Sequence, residues 1–182
     1  MDIGNDIGFV QTHLPQHIIA IRILIAAVLG ALIGFERERN TAEAGLRTHI
    51  LVATAAALFT ILAFEIFHTI EPGSGGSQAD PIRAVEAVTA GIAFLGAGAI
   101  FRSGGNVQGL TTGAGMWLAG AVGVATALGY YLVACGVALL AVIVLAALRA
   151  LAHNVIRGDE ADEERPIRER AAGRSGSPRP RR

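Results

Sequence analysis

The stretch Asp80 to Gly123, DPIRAVEAVTAGIAFLGAGAIFRSGGNVQGLTTGAGMWLAGAVG, decides the fold. It reads as two apolar helices joined by a tight, glycine-rich turn. Asp80 is placed to cap the free N–H groups of the first helix, and Pro81 suits its first position. From Ala87 to Phe101 the run carries no charge, with Thr89 its one polar side chain. Arg102 marks a polar boundary, and Ser103-Gly104-Gly105-Asn106 breaks the helix. Thr111 and Thr112 are placed to cap the second run, which continues to about Leu128. Gly91, Gly96 and Gly98 crowd the first helix, and Gly113, Gly120 and Gly123 the second. In water so much glycine weakens a helix; in a bilayer it lets helix backbones approach closely. A membrane hairpin is predicted, with its first helix central and touched on both sides.

The rest of the chain agrees. Apolar residues make up 52% of the 182 and charged residues only 16%, and the charges gather at the ends and in connecting loops. A soluble helical domain needs a polar face on each helix. Here several runs have the roughly 20-residue length of a hydrocarbon core and no such face. The single Cys135 excludes a disulfide framework. All 15 basic residues are Arg, to which no functional meaning attaches.

Taken in order, residues 1–16 form a short extracytoplasmic segment without the basic start of a cleaved leader. Five spans follow, at about 17–35, 48–67, 81–101, 111–128 and 130–151, giving an all-α integral membrane domain over 17–152. Gly30 and Gly34 in the first span make a GxxxG pair, a helix-contact pattern that also arises by chance in glycine-rich chains. Residues 153–182, charged and proline-containing, read as a disordered tail. Arg37, Arg39, Arg47, Arg102 and the Arg-rich tail fall on one side of the bilayer. The N-terminal segment and the turn at Gly129 carry none. The excess of positive charge on cytoplasmic loops then places the N-terminus outside and the tail in the cytoplasm.

Charged residues inside spans are costly and usually face a bundle interior or water. At the 1.5 Å helical rise, Arg22 and Glu86 each lie roughly 7 Å below the outer surface. Glu65 is within a turn of it, and Asp80 and Arg83 lie just above. An outer cluster of Arg22, Glu65 and Glu86 with Asp80 and Arg83 is expected. Two readings stay open: side chains reaching to the interface, or an ion path whose acids attract hydrated Mg²⁺. On the inner side Glu36, Arg37, Arg47, His49, Arg102, Asn106 and Thr111 are the candidate polar residues. They form either a solvated loop of ion pairs or a gate or docking surface. Gly104, Gly109 and Thr111 match a phosphate-loop spacing, but Leu110 replaces its lysine and a membrane helix precedes it, so nucleotide hydrolysis is excluded. No nucleophile has a base at recognisable spacing, and the five histidines show no metal-ligand spacing. No catalytic residue, cofactor site or assigned metal site is expected.

The segments GALIGFERE (30–38), AGLRTH (44–49), DPIR (80–83), GIAFLGAG (91–98) and VQGLTTGAGMW (107–117) together resemble the MgtC/SapB family of bacterial inner-membrane proteins. The resemblance covers about residues 20–150. It implies a multi-pass inner-membrane protein linked to magnesium limitation, acid stress or survival inside host cells, and no enzyme. Members of the family have been taken as regulators that bind other membrane proteins, including the rotary ATP synthase, or as Mg²⁺ transporters. The chain is therefore expected to be a non-enzymatic stress or virulence factor that binds a membrane partner, or alternatively a transporter of Mg²⁺ or another cation. Homo-oligomers are left open, and nucleic acid is not an expected partner. The family's polar signature falls on Glu36, Arg37, Arg47, His49, Asp80, Arg83, Arg102, Asn106 and Thr111. Ala87 stands where the family usually has Gln, and Ala93 where it has Gly. A charged tail stands where the better-known virulence members carry a folded cytoplasmic domain.

Overall fold

A computed structural model describes residues 12–39, 42–69, 80–103 and 106–147. Five helices account for most of them: α1 (Gln16–Glu38), α2 (Leu46–Thr69), α3 (Pro81–Gly98), α4 (Leu110–Ala127) and α5 (Tyr131–Ala147). Three of them, α1, α2 and α4, are long and apolar enough to cross a membrane. The 18-residue α3 carries Arg83 and Glu86 in its first two turns, and α5 is apolar but shorter. The chain divides into two units, Met1–Val142 and Ile143–Arg182. Of the second, the described residues 143–147 are the last turn of α5. The expected tail, the 70–79 loop and most of the N-terminal segment lie outside the described residues.

The helix ends follow local chemistry. Asp80 accepts a 2.9 Å hydrogen bond from the Ile82 N–H, and Pro81 occupies the first turn of α3, as the sequence predicts. The end of α4 is a Schellman turn. Gly129 at φ 86° lets its own N–H reach the Thr126 carbonyl and the Tyr130 N–H reach that of Ala125. Two expectations fail between these points. The third helix stops at Gly98, three residues early, and a two-stranded antiparallel hairpin replaces the simple turn: β1 (Phe101–Ser103) pairs with β2 (Asn106–Gln108), Arg102 opposite Val107. Nor is α4 capped by a threonine. Its N-cap is Gly109 at φ 82°, where a Cβ would run into the Ala99 carbonyl. Only glycine allows α3, the hairpin and α4 to meet so closely.

The centre of the bundle is formed by α2 and α4, not by α3. Helices α2 and α4 pack against each other and both against α1 and α3, whereas the main contacts of α3 are with α2 and α4. Ten residues of α4 are buried, but only Ile92 and Gly96 in the equally long α3. The glycines explain the difference. Gly30 and Gly34 of α1 are true contact points: a Cβ on Gly30 would lie 2.6 Å from the His49 carbonyl oxygen, and one on Gly34 2.8 Å from the Leu46 Cα. On α4, Gly113 faces Gly96, Gly120 faces Ile92, and Gly123 faces the Ala53 carbonyl of α2. Gly91 and Gly98 of α3 meet nothing within 4 Å, so the two-sided small-residue face expected there is open surface. Buried hydroxyls inside the apolar helices bond back one turn, as Thr60 does to Ala56 and Thr126 to Val122, both at 2.7 Å.

Candidate functional site

Where α1 ends, α2 begins and α4 begins, polar side chains turn inward rather than out. The motif GFERE places Gly34 one turn before Arg37, so the α1 backbone can close onto Leu46 and His49. That closure leaves Arg37 only 7% exposed, with Glu36 buried beside it in the sequence. A buried guanidinium needs hydrogen-bond acceptors. Arg37 Nη2 donates 3.0 Å to Thr112 Oγ1 on α4, and the Thr112 hydroxyl donates 2.8 Å to Glu43 Oε2 in the α1–α2 loop. Glu38 closes the same loop by accepting from the Leu46 N–H at 3.0 Å. One threonine thus ties the end of α1, the loop and the start of α4 together.

Glu43 is exposed, yet its own backbone N–H, the Thr112 hydroxyl and the nearby Arg37 charge hold its carboxyl below the ordinary carboxylate range. A depressed pKa contributes stability that is complete above the ordinary range and is lost as pH falls through the folded value. His49 is fully buried. Its Nδ1 lies 2.8 Å from the Gly45 carbonyl, which can only accept, so the proton sits on Nδ1. Its Nε2 has no hydrogen-bond partner among the described residues and points at Gly115 of α4, where a Cβ would come within 3.1 Å. Glycine at 115 makes room for the imidazole.

The other expected inner residues are not part of this cluster. Arg47, Arg102, Asn106 and Thr111 are exposed. Thr112, read as a cap, and Glu43, not singled out, do what those residues were expected to do. Helix phase gives Thr112 rather than Thr111 to the interior, which adjacency in the sequence does not show. Nothing in the sequence distinguishes Glu43 from an ordinary loop acid.

At the opposite end the expected Arg22–Glu65–Glu86 cluster does not assemble. Arg22 donates to the Ala127 carbonyl at the end of α4 and, at 3.3 Å, to the Tyr131 hydroxyl. A guanidinium on the last carbonyls of a helix is favoured by their unpaired oxygens and partial negative charge. Glu65 instead accepts the His13 and Leu14 N–H groups, at 2.6 and 2.9 Å, and fixes the segment before α1 against α2. The His13 and His68 rings stack there, 3.9 Å between centroids. Arg83 and Glu86 are exposed on α3, and Asp80 is used as its cap. Among the described residues no three His, Cys, Asp or Glu side chains are grouped as metal ligands.

Comparison with known proteins fits this arrangement. The model of the MgtC family matches residues 23–154, which contain the Arg37–Thr112–Glu43 junction and the glycine contacts of α1 and α4. Protein MgtC of Salmonella typhimurium is 43% identical over 111 residues, 61% of this chain and 44% of that protein. Protein MgtC of Brucella abortus is 46% identical over 99 residues, 54% of this chain and 38% of that protein. The chain thus spans less than half the length of these relatives. No solved structure matches it. With its family segments forming the contacts between α1, α2, α3 and α4, this chain belongs to the MgtC family.

Proposed function

We propose that this chain is a bacterial inner-membrane factor of the MgtC kind. It acts without catalysis, serves growth under magnesium limitation or acid stress, and works by binding other membrane proteins. All five helices span the bilayer in this reading, with the N-terminus outside and the tail in the cytoplasm. The arginine distribution supports that orientation. A periplasm-active reporter fused after Arg157 is expected to be silent, and one inserted between Gly73 and Ser77 active. The opposite pattern would reverse the orientation.

The observation that carries binding over transport is an apolar cleft of about 630 Å³ between α2 and α3, lined by Phe59, Leu62, Ile66, Ala87, Gly91 and Leu95 among others. It is open at the surface, and the side chain missing at Gly91 leaves room in it. A neighbouring helix gains close dispersion contact in such a groove, which is how helices associate where lipid and side chains are equally apolar. Of the acids a cation path would draw on, Glu65 is engaged by the His13 and Leu14 N–H groups and Asp80 by that of Ile82, which leaves Glu86, exposed on α3. Gly91→Leu fills the cleft without striking a neighbour. It is expected to leave the protein folded and to remove its support of growth at low magnesium in a strain lacking the native copy. Normal growth with the folded variant would exclude this cleft as the binding surface.

A further inference from the structure

Between Glu86 and Arg149 the sequence carries a single charged residue, Arg102. It stands in the middle of β1, directly across from Val107 of β2, so the two side chains share one face of the hairpin. Both are exposed, and so are Phe101 on the other face and Leu110 at the start of α4. A guanidinium among exposed apolar side chains suits the boundary between hydrocarbon and water. The hairpin cannot stray far from that boundary. Helices α3 and α4 have 18 residues each, about 27 Å at the helical rise, close to the roughly 30 Å of a hydrocarbon core. A strand as short as β1 adds about 10 Å, and Gly109, set against the Ala99 carbonyl, holds the base of the hairpin to both helix ends. The headgroup layer is roughly 5–8 Å deep on each side of the hydrocarbon, and Arg102 falls at its level.

We propose that the β1–β2 hairpin docks on anionic phospholipid headgroups of the adjoining leaflet. The Arg102 guanidinium holds a lipid phosphate, and Phe101, Val107 and Leu110 lie among the glycerol and upper acyl carbons. A phosphodiester has two unesterified oxygens, which the guanidinium fork matches. Every phospholipid carries that group, but a zwitterionic one also carries a cation that offsets it. Charge complementarity therefore selects the anionic headgroup. No acid lies between residues 87 and 158 to neutralise Arg102, whereas Arg37, Arg39 and Arg47 share their end of α1 and α2 with Glu36, Glu38 and Glu43. The surface adjoins the Arg37–Thr112–Glu43 junction, since Thr112 is one residue beyond Thr111 and two beyond Leu110. The proposal rests on α3 and α4 crossing the bilayer, and neither on the α2–α3 cleft nor on which leaflet is cytoplasmic.

Fluorescence quenching in vesicles that contain only this protein tests it. On a Cys135→Ser background, a fluorophore is attached at Gln108→Cys on the hairpin or at Ala90→Cys in the middle of α3. A nitroxide near the lipid headgroup is expected to quench the hairpin label, and one deep in the acyl chains the α3 label. In a phosphatidylcholine host, the shallow nitroxide carried on phosphatidylglycerol is expected to quench the hairpin label about fivefold more efficiently than the same nitroxide on phosphatidylcholine, the effect of one cation at an anionic surface. Arg102→Gln should bring that ratio close to one, Arg102→Lys should keep it, and Arg47→Gln should change it little. Unchanged quenching of the α3 label shows that each variant is inserted. A hairpin label that no lipid reaches, while the α3 label is quenched, puts the hairpin in water and overturns the docking with the span intact. If neither label is quenched, α3 is not in the bilayer and the docking falls with it. Equal quenching by the two lipids, an equal loss in Arg47→Gln, or a preference abolished by millimolar inorganic phosphate would each overturn it, the last by assigning Arg102 to free phosphate.

Discussion

Gly30→Leu and Gly123→Leu are expected to lose most of the folded protein in detergent extracts, while Gly98→Leu keeps it. A Cβ at Gly30 would lie 2.6 Å from the His49 carbonyl oxygen and 2.8 Å from the Ala53 Cβ. One at Gly123 would run into the Ala53 carbonyl and come within 3.0 Å of the Ala56 Cβ. The obstacles are mostly backbone, which cannot rotate away, so both helices must separate along their length. Overpacking of this kind costs roughly 1–3 kcal/mol, occasionally more, and the rigid neighbours place these two at the upper end. A Cβ on Gly98 would meet nothing within 4 Å, so its leucine would strike no described part of the chain. Thermal denaturation of the purified variants, followed by size-exclusion chromatography, checks the order. Equal loss in all three would mean that α3 is as enclosed as α4, contrary to the packing described.

Thr112→Val should be nearly as damaging, although it removes no volume. The hydroxyl accepts from Arg37 Nη2 and donates to Glu43 Oε2. Valine does neither, and Arg37, buried to all but 7%, cannot turn to water. A hydrogen bond to a charged group is worth about 1.5–3 kcal/mol when lost at a buried site. Exposed Glu43 can be rehydrated and adds little. Thr112→Ser keeps the hydroxyl and should recover most of the loss, while Thr111→Val should cost almost nothing. Melting temperatures of the three variants decide between them. A Thr111 effect as large as that of Thr112 would place the wrong threonine at the helix junction.

Much of this was legible in the sequence because the bilayer imposes simple rules. Run lengths located the five helices, and Asp80-Pro81 and Gly129 marked ends set by local hydrogen bonds. The centre was misread because glycine content alone does not say which way a helix face points. Gly91 and Gly98 look like contact residues in sequence and are surface in the structure. The better signal was phase. Thr112, Met116, Ala119, Gly123 and Thr126 recur at intervals of four, three, four and three, and all are buried. The polar residues were harder. Charge and depth pointed Arg22 toward Glu65 and Glu86, but a helix end offers acceptors too, and the Ala127 carbonyl that accepts from Arg22 leaves no trace in its side chain. Glu43 joins the Arg37–Thr112 pair through a loop conformation that no local pattern encodes.

In the proposed function this bundle presents surfaces to other proteins rather than a path to ions. Magnesium uptake into proteoliposomes that contain only this protein tests that reading, with folding verified by size-exclusion chromatography of the protein before and after reconstitution. The expected result is uptake equal to that of empty vesicles at either orientation of the gradient. Saturable uptake above that level, lost when Glu43 or Glu65 is replaced by glutamine, would contradict it.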